Sequence, residues 1–363
     1  MKALVIGGTG PSGYQIVERL LERDYDVTIY HTGAHELEFS RPVGHIHGDP
    51  REKESIQRDL KGGRFDVAVS TSGRLRYVVE ALAGQVRKLV AVTGEGIYDG
   101  IFARAGQPTL PALIPEDAPK VTDAEKDRWG YMVRVGEEKV WELHRQGLFD
   151  ATILRYPYVY GPYAYHPFDW YIVKRALDKR PHIILEADGL THPHRGYSVN
   201  LAHACMLALE KPRASGQTYN VGDERVLSLR RITMVIAETL GHTWDMVDMP
   251  LRLSPRRNPY ARVQHIVFDL SKIKGELGYK DVVSVEEATA RYALWLRDHP
   301  PTPGGLEELA LGKSAFDYAE EDRALATWKE GLTARGVSYE DYIASKSRPI
   351  GWPRAFQGDM RAM

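Results

Sequence analysis

The residues best suited to chemistry stand early in the chain, where Gly7-Gly8-Thr9-Gly10-Pro11-Ser12-Gly13 follows the apolar run Ala3-Leu4-Val5-Ile6. A diphosphate bound against main chain needs backbone that can come close and N–H groups aimed at it. Gly8-x-Gly10-x-x-Gly13 supplies a tight turn, a close approach and room for helix–strand packing, in that order. Gly7 also fits the variant spacing Gly7-x-x-Gly10-x-x-Gly13. Thr9 is expected to cap the following helix, and Pro11 suits its first turn, where a missing N–H has no helical partner. With Ser12, these residues are the candidate contacts to a nicotinamide dinucleotide, whose phosphates would meet the positive end of the helix.

The next run, ending Tyr30-His31-Thr32-Gly33, lacks the Asp or Glu that commonly reads the ribose hydroxyls of NAD. Glu36 and Glu38 follow only later. Without that carboxylate a 2′-phosphate is not repelled, so NADP is favoured over NAD, with His31, Thr32 or Arg41 as its contacts. Asp49, after Gly48, is placed to meet the adenine, or is an ordinary turn aspartate.

A second concentration of reactive types lies in 156–197, where Tyr158, Tyr165, His166, Trp170, His192, His194 and Arg195 crowd together. Flat rings with polar tips suit an aromatic, polyol or ring-shaped ligand. His166 and His194 are candidate acid–base or substrate-binding groups, and Arg195 would meet an anionic group or form an ion pair. His192-x-His194 puts two imidazoles on one strand face, but spacing indicates no third ligand, and no metal is expected.

The elements that must position these residues alternate apolar runs with amphipathic stretches, the pattern of parallel βαβ units. Strands are expected at Ala3–Ile6, Val27–Tyr30, near His45–His47, Val67–Ser70, Leu89–Thr93 and Ala151–Tyr156. The fold class is α/β: a Rossmann-type doubly wound parallel sheet with a smaller C-terminal substrate-binding domain. Residues 1–155 form the dinucleotide domain, which 196–230 rejoins through a strand in 216–222. Segments 156–195 and 231–300 form the substrate domain, with a helix at Leu229–Leu240 ended by Gly241. Residues 301–363 are a C-terminal extension whose Phe316, Tyr318, Leu325 and Trp328 would pack on the domain or complete a homodimer.

Composition narrows the partners. Hydrophobic residues make up 43% of the 363, enough for a substantial core. A formal net charge of -1 gives no electrostatic footprint for nucleic acid. No apolar run reaches the roughly 20 residues of a spanning helix, and no leader is read at the start, so a reducing cytoplasm is the expected compartment. The single cysteine, Cys205, lies in an apolar run and reads as a buried helical thiol.

Together with the glycine turn and Gly48-Asp49, the stretches Ser70-Thr71-Ser72-Gly73 and Leu154-Arg155-Tyr156-Pro157-Tyr158-Val159-Tyr160-Gly161-Pro162 resemble the extended short-chain dehydrogenase/reductases, the NAD-dependent epimerase/dehydratase group. Later stretches agree: Arg195-Gly196-Tyr197-Ser198-Val199-Asn200, Tyr219-Asn220-Val221-Gly222 and Asp269-Leu270-Ser271-Lys272. The resemblance covers roughly 1–298. It implies cofactor contacts from Ser72, Thr93, Tyr156 and Tyr158, a nicotinamide beside 156–197, and a small carbonyl, alcohol or sugar-like substrate.

The family's chemistry uses a Tyr-x-x-x-Lys pair on one helix face and a Ser or Thr after the preceding strand. Here Tyr131 is followed at that spacing by Val135, and a register one residue earlier gives Gly130 and Arg134. Counting back from Tyr98 puts Gly94 at the hydroxyl position, with Thr93 beside it. Lys139 stands about 12 Å along the axis from Tyr131, at 1.5 Å per residue, too far to tune it. Tyr131 with Thr93 is the catalytic candidate, and Tyr98 a substrate contact or a structural tyrosine. Oxidation–reduction with NAD(P) is the first reading. Epimerisation or dehydration with tightly held cofactor, and a non-catalytic nucleotide-sensing or RNA-binding role using Arg252, Arg256, Arg257 and Arg262, are the rivals.

Overall fold

The computed structural model describes residues 1–102, 110–250, 254, 259–260, 264–312 and 315–346. Arg252, Arg256, Arg257 and Arg262 lie outside them. Eleven strands are described: β1 (Lys2–Ile6), β2 (Asp26–His31), β3 (Gly44–His47), β4 (Phe65–Ser70), β5 (Val86–Gly94), β6 (Asp150–Tyr156), β7 (Tyr158–Tyr160), β8 (His182–Leu185), β9 (Arg195–Tyr197), β10 (Gln217–Asn220) and β11 (Asp245–Asp248). Seven of them form one parallel sheet in the order β10-β6-β5-β4-β1-β2-β3. The order reverses between β1 and β4, and ligands of such sheets bind in the crevice beyond the strand ends at that switch point.

Alternation along the strands feeds two cores. Ala3, Val5, Val27, Ile29, Val67 and Val69 face α1 (Pro11–Leu21) and a later helix over Ser198–Glu210, while Leu4, Ile6, Ala68, Leu89 and Ala91 face the opposite helices. Those are α2 (Lys53–Asp59), α3 (Leu75–Leu82) and α4 (Arg128–Arg145). Burial on both faces is why these strands read as continuous apolar runs. The segment expected to rejoin the sheet does so: β10 pairs in parallel with β6, Tyr219 beside Leu154.

A separate core gathers α5 (Trp170–Leu177), β8, α7 (Leu229–Leu240) and α9 (Val285–Asp298), α6 and α8 being Ser198–Glu210 and Ser271–Leu277. Helix α7 has the bounds its periodicity predicts. Ser228 accepts from the Arg231 amide at its start, and Gly241 closes it at φ +64°, a conformation glycine adopts without a Cβ penalty. In the C-terminal segment, α10 (Leu306–Leu309) precedes α11 (Tyr318–Thr333) and α12 (Tyr339–Lys346). Helix α11 packs within the molecule: buried Arg175 donates to the Ala315 carbonyl and to Glu321. Among the described residues, no helix is long and apolar enough to cross a membrane.

Candidate active site

The turn between β1 and α1 has the geometry a diphosphate needs. Gly7 and Gly8 take φ of +106° and +94°, open only to glycine at low cost. A Cβ on Gly13 would lie 2.8 Å from the Gly8 amide nitrogen, so helix and turn touch there. A Cβ on Gly10 would meet nothing within 4 Å. The packing of the protein itself therefore does not require glycine at position 10. The capping expected of Thr9 does not form. Gly10 is the N-cap, with no side-chain cap bond, and Pro11 begins the helix. The reason is register: Thr9 stands one residue too early, and the first-turn amides stay available to an anion. Ser12 is buried in that first turn, and exposed Ser72 stands beside Gly7.

Past the ends of β2 and β3 the side chains have partners of their own. Arg51 clamps Asp49 through Nε and Nη2 at 2.9 and 2.8 Å and holds its carboxyl below the usual range. Arg41 pairs with Asp24 at 2.8 Å, and Thr32 accepts from the Ala34 amide. Buried His31 lies 3.0 Å from His45, and burial pushes its imidazole down. The loop after β2 also brings the Glu36 carboxylate to 3.8 Å from His31.

At the end of β5, small residues let α4 press onto the sheet. A Cβ on Gly130 would come within 2.3 Å of the Gly96 carbonyl, and one on Gly96 would run into the Trp129 ring. That contact leaves no room for a tyrosine at 130. Tyr131 instead lies half-buried with the Arg134 guanidinium 4.9 Å from its ring centroid. Arg134 also pairs with Glu138. Lys139 pairs with Glu142 at 2.5 Å, away from Tyr131.

Thr93 has a different neighbour from the one expected. Its hydroxyl donates to Glu137 at 2.8 Å, and Glu137 takes both arms of Arg155 at 2.9 and 2.6 Å. Arg155 continues to the Tyr98 hydroxyl at 3.0 Å, which donates to Asn220 at 2.5 Å. All four members beyond Thr93 are buried. This corrects two assignments. The Thr93 proton is committed to a carboxylate, so as placed the hydroxyl accepts but does not donate outward. Tyr98 has no exposed surface, and burial pushes its pKa up to about 12, so it is a core tyrosine rather than a substrate contact. Lys120, which bridges to Tyr98 in the chain fold, shares this charged neighbourhood; partial desolvation, then Arg155, lower its pKa.

Four side chains of the aromatic segment are likewise committed. Tyr156 is buried and donates to the Leu201 carbonyl, so its side chain does not reach a cofactor. Tyr158 stacks on Phe168 at 4.4 Å, and its hydroxyl donates to the His166 carbonyl and accepts from the Phe168 amide. Arg195 is buried against Asp169 at 3.0 Å and Thr289 at 2.6 Å; of the alternatives, the ion pair is the one formed. His194 is buried between the Asp223 carbonyl and the Phe268 amide, both ring nitrogens occupied. It is no acid–base group here. His166 alone among these substrate candidates is exposed.

Burial holds the His194 pKa down to about 4. A folded value below the unfolded one means that stability is intact above about 6.5 and is lost as pH falls toward 4. We expect this group to contribute on the order of 3 kcal/mol to acid destabilisation in that window, at about 1.4 kcal/mol per pH unit. His194→Gln should flatten the fall in thermal midpoint between pH 7 and 4.5; an unchanged fall would contradict the buried neutral imidazole.

Sequence reasoning missed Glu137, Asn220 and the role of Arg155. An arginine within the apolar strand Ile153-Leu154-Arg155-Tyr156 was the available signal, since a buried charge requires a partner.

Comparison with known proteins agrees with this architecture. The sequence model of the NAD dependent epimerase/dehydratase family matches residues 3–222. The chain is 23% identical over 314 residues to the chloroplast stem-loop binding protein of 41 kDa b from Arabidopsis thaliana, covering 81% of this chain and 79% of that protein. It is 23% identical to a putative UDP-glucose 4-epimerase from Methanocaldococcus jannaschii, over 82% of this chain and 99% of that one. The UDP-glucose 4-epimerase structure from Thermotoga maritima superposes with a TM-score of 0.67 at 20% identity, covering 83% of this chain and 100% of that chain. With the family matched over most of the chain and its sheet order and glycine turn in place, this protein belongs to the NAD dependent epimerase/dehydratase family, a family of NAD-dependent enzymes.

Proposed function

We propose that the protein carries out oxidation–reduction at a hydroxyl or carbonyl carbon of a sugar-like small molecule, with NAD held at the β1–α1 turn and Tyr131 as the proton-transferring group. The observation that carries this reading is the cradle: Gly10 faces open space, Gly13 is closed against Gly8, and the first-turn amides have no side-chain cap. The dinucleotide supplies a hydride acceptor or donor when bound. Gly7, Gly10, Pro11, Ser12, Gly13 and Ser72 would hold its phosphates.

NADP was favoured from sequence because no carboxylate follows β2 closely. The fold returns Glu36 to that strand end, where a 2′-phosphate would meet its charge, so NAD is the partner in this reading. Tyr131 takes the proton role because Thr93 is committed to Glu137, leaving the phenol as the free hydroxyl on α4. Arg134 brings a positive charge over its ring, one residue before position 135, where the family's spacing from Tyr131 would place a lysine. The Arg134 Nε is buried and has no hydrogen-bond partner among the described residues.

UDP-glucose and dTDP-glucose are named for several relatives, which makes nucleotide sugars the first substrate panel. Tyr131→Phe should lower turnover at least roughly tenfold, within the scale of general acid–base catalysis, and leave NAD affinity within about twofold. Full activity would assign the proton to another group. An epimerase or dehydratase would differ by retaining its cofactor and showing no net change in nicotinamide absorbance.

A second reading, binding of structured RNA, is favoured by one observation: the Arabidopsis relative is named for stem-loop binding. It predicts saturable stem-loop affinity that falls steeply with salt.

A further inference from the structure

The end of strands β2 and β3 assembles a group distinct from the phosphate cradle, although it shares Glu36, whose charge the proposed function sets against a 2′-phosphate. β2 and β3 pair in parallel with His31 opposite His47 and Ile29 opposite His45. His45 and His47 are two apart on β3, so they share a sheet face, and His31 lies on that same face beside them. The three rings pack with centroids 5.2, 5.0 and 6.0 Å apart. Gly33, at φ +73°, turns the chain so that the next loop folds back, and a Cβ there would already touch the His47 ring at 3.4 Å. The loop delivers the Glu36 carboxylate, with its oxygens 3.1 Å from His47 Nε2 and 3.3 Å from His45 Nδ1.

We propose that His31, His45, His47 and Glu36 form a binding site for a divalent transition-metal ion of the zinc class. One ligand atom from each of the four lies within 4.8 Å of all the others. Zinc bonds of 2.0–2.1 Å in a tetrahedron set ligand–ligand edges of about 3.3 Å. Four separations, 3.0, 3.1, 3.3 and 3.8 Å, lie near that edge, the 3.3 Å one made by the second Glu36 oxygen, and the remaining pairs lie within 4.8 Å, so an ion would draw the farther ligand atoms together.

The donor chemistry fits as well. Imidazole nitrogen with one carboxylate suits zinc, whereas calcium and magnesium prefer all-oxygen sets. Without an ion, the cluster crowds three imidazole nitrogens and an acceptor-only carboxylate, and His45 Nδ1 faces both His31 Nε2 and Glu36. One proton cannot serve both directions, whereas one cation serves all four ligands. His31 is buried and fixed by the strand, while His47 and Glu36 are 58% and 52% exposed, so an ion has a path in. The ion would tie the 33–40 loop to the short edge of the sheet.

The test uses the full chain without an affinity tag, stripped with chelator and titrated with zinc chloride by calorimetry. One equivalent should bind with micromolar or tighter affinity. Cobalt(II) in its place should give visible bands of four-coordinate intensity. His47→Gln and Glu36→Gln, both exposed and thus tolerated by the fold, should each weaken zinc binding at least tenfold, a loss that even outer-shell changes can reach. His192→Gln, at the separate contact between His192 and His265, should bind zinc as the parent does. No saturable uptake, or parent-like affinity in both cluster variants, would overturn the site.

Discussion

Gly10→Val is expected to leave the protein folded and to weaken NAD binding at least about 100-fold, roughly 2.8 kcal/mol at 1.4 kcal/mol per decade. The two halves of that expectation rest on different facts. Gly10 has φ of −90° and ψ of 177°, extended backbone that valine adopts readily, and an added Cβ meets no protein atom within 4 Å. Thermal unfolding should therefore shift little, as for a surface substitution away from special features. The space that the side chain fills is the approach to the helix N-terminus, where phosphate oxygens must come against main chain. Calorimetry with NAD, paired with a melting curve, separates the effects. Retained affinity in a folded variant would remove the phosphate assignment.

Glu137→Ala is expected to cost about 3–5 kcal/mol of stability, the range for breaking a buried ion pair from one side. Arg155 and Glu137 have side chains 1% and 4% exposed and meet through two hydrogen bonds. Removing the carboxylate leaves a buried guanidinium facing Tyr98 and the Glu116 carbonyl, and leaves Thr93 without its acceptor. Denaturant unfolding should show the loss as a lower midpoint. The double variant Glu137→Leu/Arg155→Met should lie closer to the parent than Glu137→Ala does, because no charge is then stranded. Equal stability of parent and Glu137→Ala would mean that the network holds nothing together.

These predictions show which parts of the molecule were legible from residue order. The sheet strands and α7 were, because burial on two faces gives unbroken apolar runs and an amphipathic helix carries a 3.6-residue period. The cradle was legible because backbone approach and close packing restrict residue type to glycine at four of seven consecutive positions, 7, 8, 10 and 13. The surroundings of Thr93 were not. Its partner Glu137 is 44 residues away on α4, and nothing local distinguishes that carboxylate from its neighbour Glu138, which is exposed. The same holds for His31 and His45, 14 residues apart and joined only by strand pairing. The density of tyrosine and histidine in 156–197 suggested a pocket lining. Instead, Tyr156, His194 and Arg195 satisfy buried hydrogen-bonding groups of the second core and its joint with the sheet. A polar side chain inside a core and one lining a site have the same composition; only burial separates them.

The account stands on a dinucleotide lying against the first turn of α1. Amide hydrogen exchange, with and without saturating NAD, reads this directly. Slowed exchange concentrated in residues 7–16 and 71–74 is the predicted result. Exchange there unaltered by NAD, or slowed only in other segments, would contradict it.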